Sequence, residues 1–470
     1  MITYQDFLKV GEEEAARIDF VRRVIEDHKG SEIYKAAEIA QQYYEHQNVT
    51  IMKFQRLLYT MTGQAVPDNF AANYKLRNSF FPYFVTQENQ YLLGNGTTWS
   101  TKGTDEKLGT RTKSFDSQLI ELGQKAIVQG VSFGFFNLDH LDVFGLLEFA
   151  PIYDEENGAL MAGVRFWQLN SEKPLRATFY ELDGYTDYIW SQGEKGEVRK
   201  EKRPYKLKVG VSKADGEQIY DGENYEGFPI VPLFANPEKR SEFDGNRELI
   251  DCYDLIMSGF ANTIDEASYM YWAIQNAGGM DDVDLVKFVE HMRTIHAAVV
   301  EDSNAKAEAH TIEAPYEGRE KLLEKIRFDL FENFMALDVK NIADGAMTAT
   351  QIKAAYEPLN SKADMYEKQV RDFVYSILSL VGLDDEEPTW SRSKIVNEQE
   401  EVQTVLLAAN YLGDEYVTKK VLAILGDGDQ ADDILAKKIQ DEKDRFTDFN
   451  QKAEEAEKAE EEQENGQENE

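Results

Sequence analysis

The sequence predicts a helix-rich α+β protein in which two long helices flank a small α/β module. Three observations lead to this prediction. Apolar residues recur every three or four positions within Asn246–Asn276 and again within Glu317–Asn341, as on one face of a long helix. Short strand-like runs separated by turn residues lie between Phe133 and Phe234. Hydrophobic residues make up 42% of the chain, which is enough for a substantial core.

The net charge argues against a protein that holds nucleic acid tightly. The 470 residues include 87 Asp and Glu against 51 Lys and Arg, a formal net charge of -36, whereas such proteins carry a basic footprint. Cys252 is the single cysteine, so no internal disulfide can form and a reducing compartment is favoured. The N-terminus lacks a secretion signal and no window is apolar enough to span a membrane, so we expect the chain in the cytosol.

Three helices are predicted before the strand-rich region. The first covers Glu32–Glu45, where apolar residues have helical spacing. The second has an apolar face within Asn73–Leu93, and Pro82 marks either a kink or a late start. The third begins at Phe115 and ends before Gly130.

The region from Phe133 to Phe234 is predicted to form an antiparallel sheet. Turn clusters at Asp154–Gly158 and Gly193–Gly196 separate runs of strand-like composition, which is typical of hairpins. The predicted strands are Leu146–Tyr153, Leu160–Leu169, Phe179–Leu182 and Tyr185–Trp190.

Residues Asn246–Asn276 carry the strongest periodic signal. A helix of that length is about 45 Å long, too long for an ordinary small domain. Gly278-Gly279 ends it, and a short helix at Val283–Arg293 with strands at Ala297–Val300 and Ala309–Ile312 predicts a small α/β insertion before the second long helix.

The C-terminal part is predicted to be helical. The loop Ile342–Met347 precedes a helical pattern over Thr350–Val381, with Pro358 as the expected kink. An acidic linker, Asp384–Pro388, follows, and the last residues have the composition of a disordered tail. The short helices predicted between them are Val402–Leu412, Asp414–Leu425 and Asp429–Phe449.

Motifs that would indicate an enzyme are outweighed by simpler interpretations. The segment Gly130–Gly134 matches the G-x-S-x-G nucleophile elbow, but that elbow needs a strand before its serine and a helix after it, the reverse of the predicted order. His291 and His296 are five residues apart, whereas a zinc-binding pair on a helix needs four. The acidic residues within 281–284 fit a helix N-terminus better than a Mg²⁺ or Ca²⁺ site. We therefore expect no enzyme, no cofactor and no metal.

Self-association is the functional signal in the residue pattern. A long helix with a heptad-like apolar seam must cover that seam, and two such helices in one chain cover only part of it. Ring-like association of many copies would cover the rest.

The sequence resembles the portal proteins of long-tailed bacteriophages of Gram-positive hosts. The likeness runs from about Tyr34 to Phe449 and rests on the order and periodicity of the elements. The family commonly has Ser where this chain has Asp344. The segments that carry the likeness are Asn73–Asn78, Tyr91–Gly94, Leu249–Asp254 with Ser258, Asn262 and Glu266, and Asp344–Ala346.

The resemblance implies a dodecameric ring at one capsid vertex, through which double-stranded DNA is packaged and ejected. The implied partners are the terminase large subunit ATPase, the major capsid and scaffolding proteins and a head–tail adaptor. The implied location is the virion, with the host cytoplasm during assembly. An acidic wall suits such a channel, because lasting phosphate contacts would slow a sliding duplex.

The resemblance also divides the chain into regions of a portal fold. Two stem helices would bracket the clip, and the wing, the tunnel loop and the crown would lie on either side in sequence. The implied regions are wing 1–245, stem helix 246–276, clip 277–314, stem helix 315–341, tunnel loop and long kinked helix 342–382, helical crown 383–449 and disordered acidic tail 450–470.

The resemblance further implies which residues face DNA. Those around the tunnel loop are Lys340, Asn341, Asp344, Met347 and Thr348. Lys321 and Lys325 are candidates for cationic rings on the stem, although Lys321 lies four residues after Glu317, a spacing that also fits a simple ion pair on a helix surface. Two alternatives stay open: a cytosolic coiled-coil adaptor or scaffold and, less favoured, a carboxylate-metal-dependent enzyme.

Overall fold

A computed structural model describes most of the chain, and it divides into two units. The first unit is Met1–Asn341 with Ala355–Ser393, and the second is Ile342–Ala354 with Lys394–Glu470. The described residues are 2–59, 63–68, 71–191, 195–211, 218–267, 271–275, 286–287, 306–310, 316–340, 349–392, 398–426, 428, 431–441 and 443.

The described α-helices are distributed along the whole chain. In order they are α1 (Tyr4–Leu8), α2 (Glu14–Gly30), α3 (Glu32–Tyr44), α4 (Val49–Lys53), α5 (Phe80–Leu93), α6 (Thr104–Leu108), α7 (Phe115–Gln129), α8 (Arg247–Ala267), α9 (Tyr316–Asn333), α10 (Ala349–Val381), α11 (Glu398–Ala408) and α12 (Asp414–Ile424). Within the described residues, no helix has both the length and the apolar character needed to cross a membrane.

The strands pair in antiparallel sheets. They are β1 (Leu57–Tyr59), β2 (Ala65–Pro67), β3 (Thr97–Thr98), β4 (Val131–Asn137), β5 (His140–Gly145), β6 (Phe149–Tyr153), β7 (Leu160–Trp167), β8 (Leu175–Glu181), β9 (Gly184–Trp190), β10 (Glu197–Arg203), β11 (Lys206–Val211), β12 (Gln218–Glu223), β13 (Ile230–Phe234), β14 (Tyr271–Gln275), β15 (Lys306–His310) and β16 (Thr389–Trp390). A five-stranded sheet has the order β10-β9-β8-β7-β6 and a three-stranded sheet the order β13-β4-β5. Two-stranded ladders join β1 with β2, β3 with β16, β11 with β12 and β14 with β15. The predicted α+β class is therefore confirmed.

Two apolar cores stabilise the first unit. The smaller core lies between the N-terminal helices and the five-stranded sheet, and it is centred on Phe20, Ile152 and Phe179. The larger core joins α3, α5, α7 and α10 to the three-stranded sheet, with Leu122, Phe133 and Phe373 among its buried side chains. Helices that pack on a sheet in this way bury one apolar stripe each, which explains the helical spacing seen in the sequence.

Several predicted elements are confirmed. Helix α3 covers the first predicted helix, and α7 ends at Gln129, before Gly130 as predicted. Helix α5 starts only at Phe80, so Pro82 marks a late start: proline is tolerated in the first turn because its missing N–H would lack a helical partner there. Helix α10 continues through Pro358 to Val381.

The first long periodic segment is shorter than predicted. Helix α8 ends at Ala267 instead of Asn276, and Tyr271–Gln275 is a strand paired with Lys306–His310. The prediction was wrong there because a short run such as Tyr271-Trp-Ala-Ile fits both a helical and a strand period, and the partner strand decides between them.

Other boundaries also differ from the prediction. Helix α9 ends at Asn333 rather than Asn341, and Met335 adopts a positive φ of 51°, a conformation that cannot continue a helix. The predicted single sheet is divided into a five-stranded sheet, a three-stranded sheet and the two-stranded ladder of β11 and β12. The predicted helix Val283–Arg293, apart from residues 286–287, and the predicted strand Ala297–Val300 lie outside the described residues.

The second unit contains short helices. Helix α11 is followed by a 3₁₀ turn at Ala409–Tyr411 and then by α12, in agreement with two predicted helices. Val417 and Ala431 are its buried apolar side chains among the described residues. The tail 450–470 lies outside the described residues.

Candidate functional site

Helices α8 and α9 form an antiparallel pair. Phe260 of α8 lies beside Tyr316 at the start of α9, with ring centroids 5.6 Å apart. One turn away, Arg319 Nη1 donates a hydrogen bond of 2.8 Å to Thr263 Oγ1. At the opposite end of the pair, Tyr253 and Phe331 both contact Phe80 of α5. The two periodic segments of the sequence therefore pack against each other.

The apolar seam of α9 is buried within the chain itself. Leu323, Ile326 and Leu330 are 8%, 5% and 0% exposed, and the following Phe334 and Leu337 are also buried. The seam of α9 therefore needs no neighbouring copy to cover it, whereas Ile264 in the seam of α8 is 50% exposed. A different set of apolar side chains is exposed on the pair, namely Ile264 (50%), Leu322 (47%) and Phe328 (50%).

A ladder of polar side chains on α8 holds the extended segment Asn73–Asn78. Asp254, Ser258 and Asn262 are four residues apart, so they lie along one face of the helix with a rise of about 6 Å each. Two residues of extended chain span about 6.6 Å, so alternate backbone N–H groups match that spacing. The bonds are Asn78 N to Asp254 Oδ1 (2.8 Å), Leu76 N to Ser258 Oγ (2.9 Å) and Tyr74 N to Asn262 Oδ1 (2.8 Å).

This ladder joins two of the segments that carried the resemblance. Asp254 also accepts a 2.5 Å hydrogen bond from Asn48 Nδ2, so one carboxylate connects three parts of the chain. Burial raises the pKa of Asp254, although the bonds from Asn48 and Asn78 oppose that effect. One turn earlier, Asp251 accepts hydrogen bonds from Tyr43 and Thr50. The N-terminal half of α8 is thus fixed to the helices that precede it.

The chain that leaves α9 is held by α5. Gln87 uses both atoms of its side-chain amide on the backbone of Leu337: Nε2 donates to the carbonyl oxygen and Oε1 accepts from the N–H, each at 2.9 Å. Arg327 forms a 2.8 Å ion pair with Asp338. The N–H of Lys340 then donates to Asp338 Oδ1 at 3.2 Å.

A buried cluster of charges lies next to this clamp. Lys362 of α10 places its Nζ 2.7 Å from Glu88 Oε2 and 3.1 Å from Glu242 Oε2. The same ammonium donates a 3.1 Å hydrogen bond to the carbonyl oxygen of Phe334, the first residue after α9. Glu88 and Lys362 are only 3% and 7% exposed, whereas the Glu242 side chain is 20% exposed, so two of the three charged groups are buried.

The cluster has two carboxylates for one ammonium, and its pKa values reflect this. Burial raises the pKa of Glu88 to about 7; Lys362 opposes that rise and Glu242 adds to it. Burial by itself would lower the pKa of Lys362, but the two carboxylates raise it above its ordinary value. Near neutral pH Lys362 is therefore charged, whereas Glu88 is ionised only in part.

The structure places three of the predicted DNA-facing residues. Lys340 is exposed at the end of the segment clamped by Gln87. Lys321 is exposed on α9 and has no ion pair within the described part of the chain. Lys325 is paired with Asp329, and its ammonium lies 5.1 Å from the ring centroid of Phe328. The predicted residues Asn341, Asp344, Met347 and Thr348 lie outside the described residues.

The candidate catalytic motif is part of the core. Ser132 follows α7 and lies in β4, with its Oγ buried and donating a 2.7 Å hydrogen bond to the carbonyl oxygen of Leu122. A nucleophile elbow needs an exposed serine hydroxyl, so this segment is not one. In the described ranges no group of three or more His, Cys, Asp or Glu side chains could hold a metal ion, and His291, His296 and residues 281–284 lie outside those ranges.

Gln87, Glu88, Glu242 and Lys362 were missed by sequence reasoning. The one signal was a lysine on the apolar side of α10, one residue before Ala363 and three after Leu359, both buried. A lysine there is normally read as a solvent-facing residue, because lysine is almost never fully buried unless it is paired.

The chain is similar to several known proteins. A family model described as "Phage portal protein, SPP1 Gp6-like" matches residues 24–469. The portal protein of Bacillus phage SPP1 is 22% identical over 428 residues, which cover 82% of this chain and 79% of that protein. The portal protein of Clostridium phage phiCD119 is 25% identical over 235 residues, or 46% of this chain and 52% of that protein. A chain of the solved structure "Neck of native GTA particle computed with C12 symmetry" aligns with a TM-score of 0.43 and 10% identity, covering 74% of this chain and 89% of that one.

Proposed function

Because this chain belongs to the SPP1 Gp6-like family of phage portal proteins, we propose that twelve copies form a ring at one capsid vertex, through which DNA is packaged and ejected. Portal function itself follows from the family match over residues 24–469 and from the two portal-protein relatives. The family is structural rather than enzymatic, and its members are virion components that assemble with capsid proteins.

The partners proposed for the ring are those of a packaging and tail-joining vertex. They are the terminase large subunit ATPase, the major capsid and scaffolding proteins, a head–tail adaptor and double-stranded DNA. The protein would be present in the host cytoplasm during assembly. Its acidity supports a channel rather than a tight DNA-binding surface, because a net charge of -36 per copy disfavours lasting phosphate contacts.

The proposed regions keep the boundaries predicted from the sequence. The helices α8 and α9 are shorter than the two stem regions that contain them. The antiparallel pair α8 and α9 supports the stem assignment of 246–276 and 315–341. Tyr271–Gln275 lies at the end of the region 246–276 and pairs with Lys306–His310 inside the region 277–314, so this strand pair supports a compact clip that begins before residue 277. Residues 1–245 would be the wing, 342–382 the tunnel loop and its helix, 383–449 the crown and 450–470 the tail.

The exposed apolar side chains of the α8–α9 pair are the observation that carries the ring. Ile264, Leu322 and Phe328 are each about half exposed, and Tyr316 is 45% exposed, on a helix pair whose buried apolar side chains include Ile250, Leu323, Ile326 and Leu330. Exposed apolar side chains that come together in one patch mark protein–protein interfaces, and the proposal assigns these side chains of the α8–α9 pair to such a patch. A neighbouring copy that covers them with its own helix pair would give a closed ring.

Electron microscopy of the purified chain, with two surface variants, tests this proposal. Wild-type protein should form annuli, whereas Leu322→Asp with Phe328→Asp should give smaller species with an unchanged circular dichroism spectrum. Leu169→Asp is the matched control, because Leu169 is 85% exposed in another part of the chain; it should still form annuli. Wild-type dimers or trimers would instead support the coiled-coil adaptor, and metal-dependent turnover or a thermal shift with Mg²⁺ would support the enzyme.

The residues proposed to face DNA are Lys340, Asn341, Asp344, Met347 and Thr348, with Lys321 and Lys325 on the stem. Since Lys325 is already paired with Asp329, Lys321 should account for more of any cationic effect. Replacing both stem lysines by Ala should impair DNA packaging while rings still form. Unchanged packaging would reject their assignment.

A further inference from the structure

We propose that one side of the five-stranded sheet, the side that faces away from α1 and α2, is a docking surface for carboxylates of a second copy. The proposal rests on the proposed ring and deepens it, because it names a contact between neighbouring copies besides the α8–α9 pair. This surface is called the Arg–Trp face below. Its residues are Arg165, Trp167, Arg176, Ile189 and Lys200.

The alternation of side chains along the strands places these residues on one side of the sheet. In β9, Tyr188 and Trp190 are buried in the smaller core, whereas Asp187 and Ile189 are half-buried on the other side. Neighbouring strands are about 4.8 Å apart, so residues in register form continuous rows across the sheet. The two rows are Arg165, Thr178, Asp187 and Lys200, and, two residues further along the strands, Trp167, Arg176, Ile189 and Glu197.

The cations of the Arg–Trp face lack carboxylate partners within the chain. Asp187 already accepts hydrogen bonds from Thr178 Oγ1 at 2.8 Å and from Arg203 Nη2 at 2.6 Å. None of the three cations of the face forms an ion pair with a residue that the structure describes. Glu197, which is exposed on the edge strand β10, is the other carboxylate of the two rows. The face therefore has an excess of cations, although the whole chain carries a charge of -36.

Arg165 is preorganised to bind a carboxylate. Its guanidinium carbon lies 4.5 Å from the ring centroid of Phe144 and 5.3 Å from that of Trp167. These cation–π contacts restrict the guanidinium without using its N–H donors. A carboxylate can then accept two parallel hydrogen bonds from it, which is the strongest way in which arginine recognises an acid.

The composition of the face indicates a protein partner. Trp167 is 38% exposed and Ile189 is half-buried beside it in the same row. The solvated side of an antiparallel sheet normally carries polar side chains. Tryptophan and arginine, in contrast, are the residues that contribute most to binding at the centre of protein interfaces. The Arg–Trp face thus combines apolar contact area with donors for carboxylates.

The charge of the chain favours a second copy as the occupant of this face. Each copy has 87 acidic residues against 51 basic ones, so most contacts between copies bring like charges together. A closed ring joins two different surfaces at every contact, which allows a cationic face of one copy to meet carboxylates of the next. DNA is a less suitable occupant, because the net charge of -36 repels it at long range.

A charge-reversal variant of the full chain tests this surface. Arg176→Glu with Lys200→Glu replaces two cations of the face and leaves the contacts of Arg165 intact. Lys102→Glu with Lys107→Glu is the matched control, because both lysines are exposed elsewhere on the first unit and the change in net charge is the same. If the reversed variant does not fold, Arg176→Gln with Lys200→Gln, which only removes the charges, replaces it.

Mass photometry over a series of protein concentrations measures the fraction of copies in annuli. The concentration at which half of the copies are in annuli should rise at least about tenfold in the reversed variant, because like charges then meet at the contact. The control should follow the wild type. All variants should keep the wild-type circular dichroism spectrum.

Cross-linking with a carbodiimide tests the contact directly. This reagent joins an amine to a carboxylate only where the two touch, so Lys200 should form cross-links to Asp or Glu in annuli. Annuli assembled from a mixture of isotope-labelled and unlabelled copies show by mass spectrometry whether such a cross-link joins two copies.

The outcomes separate this proposal from the proposed function. Equal association of reversed variant and wild type, or the absence of cross-links from Lys200 between copies, would overturn the docking surface. A reversed variant that forms normal annuli but loses retention of DNA in a gel-shift assay would assign the face to nucleic acid, which also overturns it. If wild-type chains form no annuli, the proposed ring fails. Cross-links from Lys200 between copies in smaller assemblies would then still support the docking surface, and their absence would reject it.

Discussion

Glu88 should make the first unit less stable as the pH rises through neutrality. The carboxyl is buried beside Glu242, and burial raises its pKa to about 7 from an ordinary value of 4.5. The folded protein therefore holds the proton of Glu88 more tightly than the unfolded chain does. The stabilisation from this proton is fully present below about pH 4.5 and is lost as the pH rises through about 7.

The magnitude follows from the difference between the two pKa values. Each pKa unit corresponds to about 1.4 kcal/mol, so the free energy of unfolding should fall by about 3 kcal/mol across this window because of Glu88 alone. The raised pKa of Lys362 acts in the same direction, with stability lost as the pH rises, but only at alkaline pH, above its ordinary value of 10.5. It does not affect the window from about pH 4.5 to about pH 7.

Urea unfolding at a series of pH values measures this effect. Glu88→Gln keeps the shape of the side chain and removes its titration. Between about pH 4.5 and about pH 8, the free energy of unfolding of this variant should therefore fall by about 3 kcal/mol less than that of the wild type. Glu106→Gln is the control, because Glu106 is an exposed carboxylate of α6; it should follow the wild type. Equal pH slopes in wild type and Glu88→Gln would refute the reasoning.

Three further predictions concern other parts of the first unit. Asp254→Ala should lower the free energy of unfolding by about 2 to 3 kcal/mol in urea titrations, because Asn78 and Asn48 lose their buried acceptor; a loss below about 0.5 kcal/mol would contradict the ladder. Gly134→Ala should lower the free energy of unfolding by about 1 to 3 kcal/mol and lower the Tm, because a Cβ there would lie 2.6 Å from Phe373 Cζ. An unchanged Tm would show that the core adapts freely. His28, whose pKa is lowered chiefly by burial, should weaken the fold as the pH falls below about 6.5, since the unfolded chain binds that proton more tightly; His28→Gln should remove this dependence in acid unfolding curves, and identical curves would argue against it.

The amino-acid sequence by itself determined the elements with a strong local signal. Helices α7 and α10 follow from their apolar spacing, and their ends agree with Gly130 and Val381. The same spacing located α8 and α9, although not their C-terminal limits. The segments Asn73–Asn78 and Leu249–Asp254 were also singled out, but nothing local showed that they contact each other. Periodicity reports which face of an element is apolar, and it contains no information about the partner of a polar side chain.

The tertiary structure alone decided how distant residues meet. Tyr271–Gln275 is a strand because Lys306–His310 lies beside it, and no local pattern favours strand over helix there. The buried cluster is formed by residues more than 100 positions apart in sequence, such as Glu88, Glu242 and Lys362. A lysine and two glutamates each prefer water when taken singly, and only their arrival at one point in the folded chain makes their burial possible.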